Sequence, residues 1–306
     1  MEQLPTKTLA NDLYPRPIEY VNDVPINLEY HSKERINEIM NVEFRSDDII
    51  VATYPKAGTT MTQEITWLVM NNGDVEAAKQ EYIAARIPFL EFTPPVSSKI
   101  SGQDDCTSMN LFLEQNSPRL CKVHLPWNLG PSRAVDEFNA KLIYVMRNPK
   151  DTAVSNFYFA QSFELNPYRG SFSDFLKVYL APDMDYGPIF DHYLGYWNER
   201  HRENILILYY EDLVHDHRAQ VVKIAKFLQK DLTDEVVDRI VASTRFKSMK
   251  ENPMTNYAYD GPVRPNATPF MRKGEAGDWK NHFTAEEAEL YDRLIAEKLT
   301  SVGIKY

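Results

Sequence analysis

The stretch IIVATYPKAGTTMTQEI, residues 49–65, contains a short apolar run, a turn with one glycine and the start of a helical pattern. The run IIVATYP is typical of a buried strand, and apolar residues after Thr59 recur at helical spacing until residues 71–73. Gly58 lets the backbone approach an anion closely, while unpaired N–H groups at the helix start face the same point. The stretch therefore predicts a phosphate-binding loop, although Lys56 precedes the glycine, unlike the lysine of the common G-x-x-x-x-G-K-[ST] loop.

Strands and helices alternate along the remaining chain. Strands are expected at RLCKVHLP (119–126), KLIYVMR (141–147) and NILILYYEDL (204–213), and helices at 31–44, 148–163, 216–230, 233–243 and 284–303. The alternation predicts the α/β fold class: a single domain over 1–306 with a central, mostly parallel sheet flanked by helices. Residues 1–30 are expected to be irregular. Residues 250–278 form a long loop, which we expect at the cofactor and substrate site because such loops are usually functional.

The composition argues against several classes of protein. A formal net charge of -10 over 306 residues argues against broad nucleic-acid binding, which needs a basic face, but allows a local basic pocket. Cys106 and Cys121 are too few for a disulfide framework, and we expect two buried thiols. The N-terminus has no apolar signal region, and no apolar run approaches the roughly 20 residues of a membrane span. The expected location is cytoplasmic.

Two further segments carry groups suited to phosphate. Arg147 lies at the end of an apolar strand, where ligands bind in open α/β sheets, and Ser155 follows about two helical turns later. Arg272 and Lys273 place two cations beside the flexible residue Gly274. Taken alone, Arg147 could simply cap the edge of a sheet, and Arg272 and Lys273 could form a solvated basic turn. Together with the first loop they are much more specific.

The order and spacing of these segments resemble the cytosolic sulfotransferase family, small-molecule enzymes that use 3′-phosphoadenosine 5′-phosphosulfate. TYPKAGTT (53–60) matches the 5′-phosphosulfate loop of that family, RNPKDTAVS (147–155) its 3′-phosphate element and RKGEAGDW (272–279) its third nucleotide-binding element. The resemblance continues through KVHLP, YYEDL, STRFKSMKENPMTNY and KNHFTAEEAE, and it spans about residues 20–306. It implies the P-loop-like sulfotransferase fold for nearly the whole chain.

The resemblance implies transfer of a sulfuryl group from this donor to the hydroxyl of a small acceptor, which releases adenosine 3′,5′-bisphosphate. It assigns catalytic roles to His124, Lys56 and Lys122. The residues that it places at the co-substrate are Lys56, Ala57, Gly58, Thr59, Thr60, Met61, Arg147, Ser155, Tyr210, Thr244, Arg245, Phe246, Phe270, Met271, Arg272, Lys273 and Gly274.

The implied chemistry suits these residue types. An alcohol or phenol attacks sulfur in line, and His124 accepts its proton near neutral pH. Lys56 neutralises the charge that grows on the leaving phosphate oxygen, as in phosphoryl transfer. A sulfuryl group carries less charge than a phosphoryl group, so we expect no metal ion.

The sequence departs from the family pattern at the co-substrate. Ala57 replaces a serine, Met61 replaces the tryptophan that usually stacks on adenine, and Arg245 stands where a small serine is common. A methionine offers less contact area than a tryptophan face, although its sulfur can contact a ring for about 0.3–1.5 kcal/mol. We therefore expect weaker or rearranged adenine packing, with Phe246 carrying more of it. The guanidinium of Arg245 either reaches the cofactor or faces solvent.

The dimer motif of the family, K-x-x-x-T-V-x-x-x-E, is also altered. Lys280, Thr284 and Glu289 are present, but Ala285 takes the place of the valine. So short a segment implies a small interface, which the loss of two methyl carbons weakens. The expected partners are a second copy of the chain and a small-molecule acceptor, without nucleic acid or membrane.

The acceptor pocket of the family is apolar and is formed by variable loops. Candidates for it are Tyr30, Pro88, Phe89, Phe92, Phe157, Phe163, Tyr168, Tyr257 and Tyr259. Aromatic side chains suit a phenol, a steroid-like molecule or another hydrophobic alcohol.

Two other functions compete with sulfuryl transfer. A P-loop phosphotransferase would need a lysine after the glycines and an acid for magnesium, and the loop has neither arrangement. A non-catalytic relative would bind the donor without turnover, but the presence of Lys56, Lys122, His124, Arg147 and Ser155 argues against it.

Overall fold

A parallel sheet forms the centre of the molecule. The computed structural model describes residues 13–94, 106–163, 166–257 and 267–306. The strands in those ranges are β1 (Ile18–Val21), β2 (Val24–Asn27), β3 (Ile49–Thr53), β4 (Leu120–Val123), β5 (Lys141–Met146) and β6 (Ile205–Tyr209). Among the described residues, four parallel strands pair in the order β4-β3-β5-β6. The predicted α/β class with a central parallel sheet is confirmed.

Helices surround the sheet and cover both of its faces. They are α1 (Lys33–Asn41), α2 (Thr59–Met70), α3 (Val75–Ala78), α4 (Ile83–Arg86), α5 (Ser108–Glu114), α6 (Pro131–Asp136), α7 (Pro149–Ser162), α8 (Phe172–Tyr179), α9 (Ile189–Trp197), α10 (Tyr210–His215), α11 (His217–Phe227), α12 (Asp234–Thr244), α13 (Phe246–Glu251) and α14 (Ala285–Lys298), with 3-10 turns at Asp278–Asn281 and Thr300–Val302. The capping box predicted for α14 is present, because Thr284 and Glu287 each accept the backbone N–H of the other.

The central strands are buried on both sides, as parallel strands under helices must be. All five residues of β3 are buried. In β5 the first residue is partly exposed and the other five are buried. Alternate side chains enter different apolar clusters. Leu142, Tyr144 and Met146 pack on one face of β5, whereas Ile143 and Val145 pack on the other.

The N-terminal segment differs from the predicted irregular structure over residues 1–30. β1 and β2 pair as an antiparallel hairpin, and its turn is formed by Asn22 and Asp23, with φ of 47° and 65°. Two consecutive left-handed residues make a tight hairpin turn, and Asn and Asp tolerate that conformation. Each strand has only four residues, which is too short for an alternating pattern to stand out in a Pro-rich segment.

The carboxyl ends of the parallel strands place the predicted site residues at one edge of the sheet. β3 is followed by the loop that carries Lys56, β4 by His124, β5 by Arg147 and β6 by Tyr210. In open α/β sheets this edge is where ligands bind. The strand order therefore brings together residues that are far apart in the sequence.

A buried ion pair joins the opposite ends of β3 and β4. The Arg119 guanidinium donates to both carboxylate oxygens of Asp48, at 3.0 and 2.5 Å, and both side chains are almost fully buried. Asp48 also accepts the backbone N–H of Arg45 at 2.7 Å. This pair fixes the starts of the two strands that carry the loop and His124.

Asp48→Ala is expected to lower the free energy of unfolding by about 3–5 kcal/mol, because it leaves Arg119 buried without a counter-charge. The matched control is Asp47→Ala, which removes an exposed neighbouring carboxylate that contacts Ser117. A surface change of this kind is worth about 0.5 kcal/mol or less. Urea denaturation followed by circular dichroism measures both variants, and equal losses would contradict the role of the ion pair.

Candidate active site

The loop between β3 and α2 bends through two residues with left-handed backbone. Lys56 has φ of 70° and Gly58 has φ of 117°. A Cβ atom on Gly58 would lie 2.8 Å from Cδ2 of Tyr210, so both the conformation and the approach of this ring require glycine. The hydroxyls of Thr53 and Thr59 lie 2.7 Å apart. This contact fastens the start of α2 to the end of β3.

The ammonium group of Lys56 lies between two aromatic rings. Its Nζ is 4.1 Å from the ring centroid of Phe159 and 3.8 Å from that of Phe270, within the range of cation–π contacts. Burial, and then the charges of Lys122 and Arg147, lower the pKa of Lys56 to about 7. An anion bound beside Lys56 would favour its protonated form.

Arg147 is fixed in place and still has hydrogen-bonding capacity. The Tyr193 hydroxyl donates to its carbonyl at 2.8 Å, and its guanidinium donates to the carbonyls of Lys56 at 3.2 Å and Glu275 at 3.1 Å. Its Nε is buried without a hydrogen-bond partner in the described ranges. An unpaired buried donor is costly, so this group suits an anion, and Ser155 lines the same cavity.

Two carboxylates hold the segment that begins at Arg272. Arg272 and Lys273 each contact Asp278 at 2.5 Å. Asp151 on α7 accepts two backbone N–H groups of the segment, including that of Gly277 at 2.6 Å. These contacts fix the segment against α7, the helix that also carries Ser155.

The imidazole of His124 is oriented by the end of β3. Its Nδ1 lies 2.8 Å from the carbonyl oxygen of Thr53. A carbonyl can only accept, so Nδ1 carries the proton and Nε2 keeps a free lone pair. Burial, and then the charge of Lys122, lower the pKa of His124 well below its usual value. The ring is therefore neutral at pH 7 and able to accept a proton.

Lys122 lies on the same strand end and rests on an aromatic face. Its Nζ is 4.1 Å from the ring centroid of Phe89. Burial lowers the pKa of Lys122 to about 8, although Glu91 opposes this shift. The Glu91 carboxylate accepts the backbone N–H of His124, and the backbone of Lys122 pairs with residues 88–90. Residues 88–91 therefore support the strand end that carries both groups.

One cavity of about 1030 Å³ joins these groups. The predicted catalytic residues His124, Lys56 and Lys122 all line it. The predicted co-substrate residues that line it are Lys56, Gly58, Thr59, Thr60, Met61, Arg147, Ser155, Tyr210, Thr244, Arg245, Phe246, Phe270, Met271, Arg272, Lys273 and Gly274. The predicted acceptor residues that line it are Tyr30, Phe89, Phe92, Phe163 and Tyr257.

Other predicted residues lie outside this cavity lining. Ala57, in the loop between β3 and α2, is fully buried, and its backbone N–H donates to the Tyr54 carbonyl. Phe157 packs into the core, 5.5 Å between ring centroids from Phe175, because α7 turns it away from the face of Ser155. Phe157 therefore does not face the predicted acceptor pocket, and the Ala57 side chain does not face the predicted co-substrate site. Pro88 and Tyr168 are also absent from the lining, and Tyr259 lies outside the described residues.

Several residues of the cavity wall are not predicted from the sequence, among them His31, Phe159 and Tyr186. Phe159 lies four residues after Ser155 on α7, a spacing that places both on one helix face and could have identified it. His31 and Tyr186 form a hydrogen bond of 2.7 Å across 155 residues of sequence. No local pattern connects them.

Other predicted features lie away from the cavity. The four residues of the altered dimer motif are exposed: Lys280, Thr284, Ala285 and Glu289. Cys106 and Cys121 are buried and unpaired in the described part of the chain.

Within the ranges given above, no helix has the length and apolar character needed to cross a membrane. The same ranges contain no cluster of three or more His, Cys, Asp or Glu residues suited to a metal ion.

Comparison with known proteins covers nearly the whole chain. Residues 46–303 match the sulfotransferase domain family. The chain is 37% identical to sulfotransferase 1 family member D1 of Rattus norvegicus over 297 residues, 96% of this chain and 97% of the relative. It is 41% identical to sulfotransferase 1B1 of Canis lupus familiaris over 265 residues, 86% of each chain. The crystal structure of retinol dehydratase in complex with androsterone and inactive cofactor PAP aligns with a TM-score of 0.84 and 27% identity, covering 98% of this chain and 95% of that one.

Gly58→Ala is expected to weaken binding of adenosine 3′,5′-bisphosphate by about tenfold or more, because overpacking costs about 1–3 kcal/mol. The new Cβ would displace the Tyr210 ring, which lies 4.3 Å from the Arg147 guanidinium. The control is Gly187→Ala, with φ of 81° and no atom within 4 Å of the added Cβ. Calorimetric titration measures both. Equal weakening would contradict the role of the contact between residue 58 and the Tyr210 ring.

Proposed function

The chain belongs to the sulfotransferase family, and we propose that it transfers a sulfuryl group from 3′-phosphoadenosine 5′-phosphosulfate to the hydroxyl of a small hydrophobic acceptor. The observation that carries this proposal is one cavity lined by a neutral imidazole, two half-buried lysines and an incompletely paired guanidinium. These groups supply a proton acceptor, charge for a leaving phosphate and a clamp for a second phosphate.

The donor is expected to lie along the strand ends. Residues 56–60 hold its 5′-phosphosulfate, and Arg147, Ser155 and residues 272–274 hold its 3′-phosphate. A Cβ atom on Gly274 would lie 2.1 Å from the Phe246 ring, so the third nucleotide-binding element packs directly on the proposed adenine contact. The related retinol dehydratase structure contains PAP, which supports this donor.

His124 serves as the base in this proposal. The acceptor hydroxyl donates to Nε2, the nitrogen that the contact with the Thr53 carbonyl leaves without a proton. As the oxygen forms its bond to sulfur, its proton passes to Nε2, and the bond between sulfur and the phosphate oxygen breaks. Because burial lowers the pKa of His124 well below its usual value, this base is available in its neutral form at physiological pH.

Lys56 and Lys122 supply the positive charge. Negative charge grows on the phosphate oxygen that leaves sulfur, and a buried ammonium group beside this oxygen stabilises it more than water would. Lys56 is in the loop expected to hold that phosphate, whereas Lys122 lies on the strand end with His124. We propose Lys56 for the leaving oxygen and Lys122 for the transferred group, without a metal ion.

The acceptor end of the cavity supports a phenol, a steroid-like molecule or another hydrophobic alcohol. The rings of Tyr30, Phe92 and Phe163 form a stack, with centroid distances of 6.5 and 5.1 Å from Tyr30. Asp185 also lines the cavity, but its carboxylate is paired with Arg16 at 2.8 Å. Since its charge is already matched, an amine acceptor gains little from it. The androsterone in the related retinol dehydratase structure is consistent with a steroid-like acceptor.

The remaining proposals concern the assembly and its location. We propose a homodimer through the exposed motif of Lys280, Thr284, Ala285 and Glu289. Without the valine methyl groups, this interface is expected to be weak. The cytoplasm is the proposed location.

His124→Ala is expected to abolish sulfation of a phenol panel while binding of adenosine 3′,5′-bisphosphate stays within about twofold, because the base takes part in proton transfer rather than in nucleotide binding. Product formation with the sulfate donor and calorimetric titration are the two measurements. His201→Ala, which removes an exposed histidine before β6, is the control for both. Substantial turnover by His124→Ala would identify another base. A wild-type protein that binds the donor but sulfates no acceptor would be a binding protein.

Binding of the bisphosphate is expected to take up a proton above pH 7. Free Lys56 has its pKa lowered to about 7, and a neighbouring phosphate raises it, so the bound form holds a proton that the free form has lost. The association constant should therefore fall by up to about tenfold per pH unit from pH 7 to 9.

Calorimetry in two buffers of different ionisation enthalpy measures this uptake directly. Lys56→Arg keeps the charge without titrating. Its affinity should therefore depend on pH much less than that of the wild-type protein, with only the contribution of Lys122, whose pKa is lowered to about 8, remaining in this window. Uptake of the same size in Lys56→Arg would assign the proton to another group.

A further inference from the structure

We infer that the hydrogen-bonded pair of Tyr186 and His31 selects acceptors that carry a second hydrogen-bond donor beside the reacting hydroxyl, as in a 1,2-dihydroxyaromatic. This inference rests on the proposed function, since it concerns the acceptor of the same site. Both residues line the cavity, and the Tyr186 hydroxyl lies 2.7 Å from Nε2 of His31. The pair places a polar group beside the aromatic side chains of Phe89 and His124 in this part of the cavity.

The backbone fixes the direction of this hydrogen bond. Nδ1 of His31 lies 2.9 Å from the carbonyl oxygen of Glu91, which can only accept, so Nδ1 carries the proton. Burial lowers the pKa of His31 and keeps the ring neutral, which leaves Nε2 as an acceptor. The Tyr186 hydroxyl must then donate to His31. Its oxygen offers only lone pairs to a ligand.

Tyr186 also lies beside the proposed base. The ring centroids of Tyr186 and His124 are 5.8 Å apart, and the Phe89 ring contacts both His124, at 5.1 Å, and His31, at 5.9 Å. The reacting hydroxyl has a single proton, which it donates to His124. The Tyr186 oxygen can therefore accept only from a different donor on the same acceptor molecule. Adjacent hydroxyls on one aromatic ring meet this requirement, because the base and the tyrosine occupy one small part of the wall.

The backbone of Tyr186 indicates that the surrounding structure enforces its position. Its φ of 67° lies in the left-handed region, where a bulky aromatic residue is rare. Its N–H donates to the Pro25 carbonyl at 2.9 Å, and the preceding Asp185 is anchored by Arg16. Strained residues that are held by such contacts cluster at ligand-binding sites.

The test compares kcat/KM for catechol and 2-methoxyphenol with the sulfate donor supplied. Methylation removes the second donor but keeps its oxygen. The wild-type protein should favour catechol by about five- to tenfold, the value of one neutral hydrogen bond. In Tyr186→Phe, which keeps the ring, this preference should fall by the same factor.

His31→Phe provides a second variant and a sharper outcome. It frees the Tyr186 proton, which can then be donated to the methoxy oxygen, so the preference should shift toward 2-methoxyphenol. The control is Tyr168→Phe, which removes the hydroxyl of another buried tyrosine, bonded to the Ser171 carbonyl outside the cavity. Its ratio should equal that of the wild-type protein.

The outcomes separate this inference from the proposed function. If the wild-type protein sulfates both phenols without preference, or if Tyr186→Phe and His31→Phe keep the wild-type ratio, the inference is overturned while the proposed function stands. If the wild-type protein sulfates neither phenol nor any other hydroxyl acceptor, the proposed function itself fails.

Discussion

The contact between the Thr53 carbonyl and the His124 ring is the constraint on which the site depends. It exists because β3 and β4 pair in parallel with Ala52 opposite Val123, so the next residue of each strand meets at the sheet edge. The same Thr53 also fastens Thr59 at the start of α2. The loop and the proposed base are therefore positioned by a single strand end. A shift of register by one residue would separate them and reverse every side chain of the strand.

A second constraint is electrostatic. The cavity gathers Lys56, Lys122 and Arg147 in a buried region, and the pKa values of both lysines are lowered as a result. Neither lysine forms an ion pair with a carboxylate among the described residues; each lies against aromatic rings instead. Aromatic faces hold a cation in place without neutralising it as a carboxylate would. The charge thus remains available to an anionic ligand, at a cost in folding free energy.

The sequence predicts the donor side of the site far better than the acceptor side. The loop at Lys56 and the turn after Arg147 follow strand ends directly, so a strand pattern followed by a motif is enough to locate them. The acceptor wall comes from pieces with no local signature. His31 and Tyr186 meet only through the tertiary structure, and Phe157 differs from Phe159 only by the helix face that it occupies. The β1–β2 hairpin is missed because its strands are short, although Asn22 and Asp23 are suited to its turn.

The hairpin has a consequence for how such a chain can evolve. Pro25 holds the backbone of Tyr186, Asn27 contacts Asp185 at 3.5 Å, and His31 follows four residues later. The N-terminal part of the chain thus supports the proposed acceptor wall, whereas the proposed donor-binding groups follow the strands of the central sheet. Substitutions near the hairpin can therefore alter the proposed acceptor wall without touching the strand ends that carry the proposed donor-binding residues. In this architecture the two halves of the proposed site are thus held by different segments of one domain, and each can vary without moving the other.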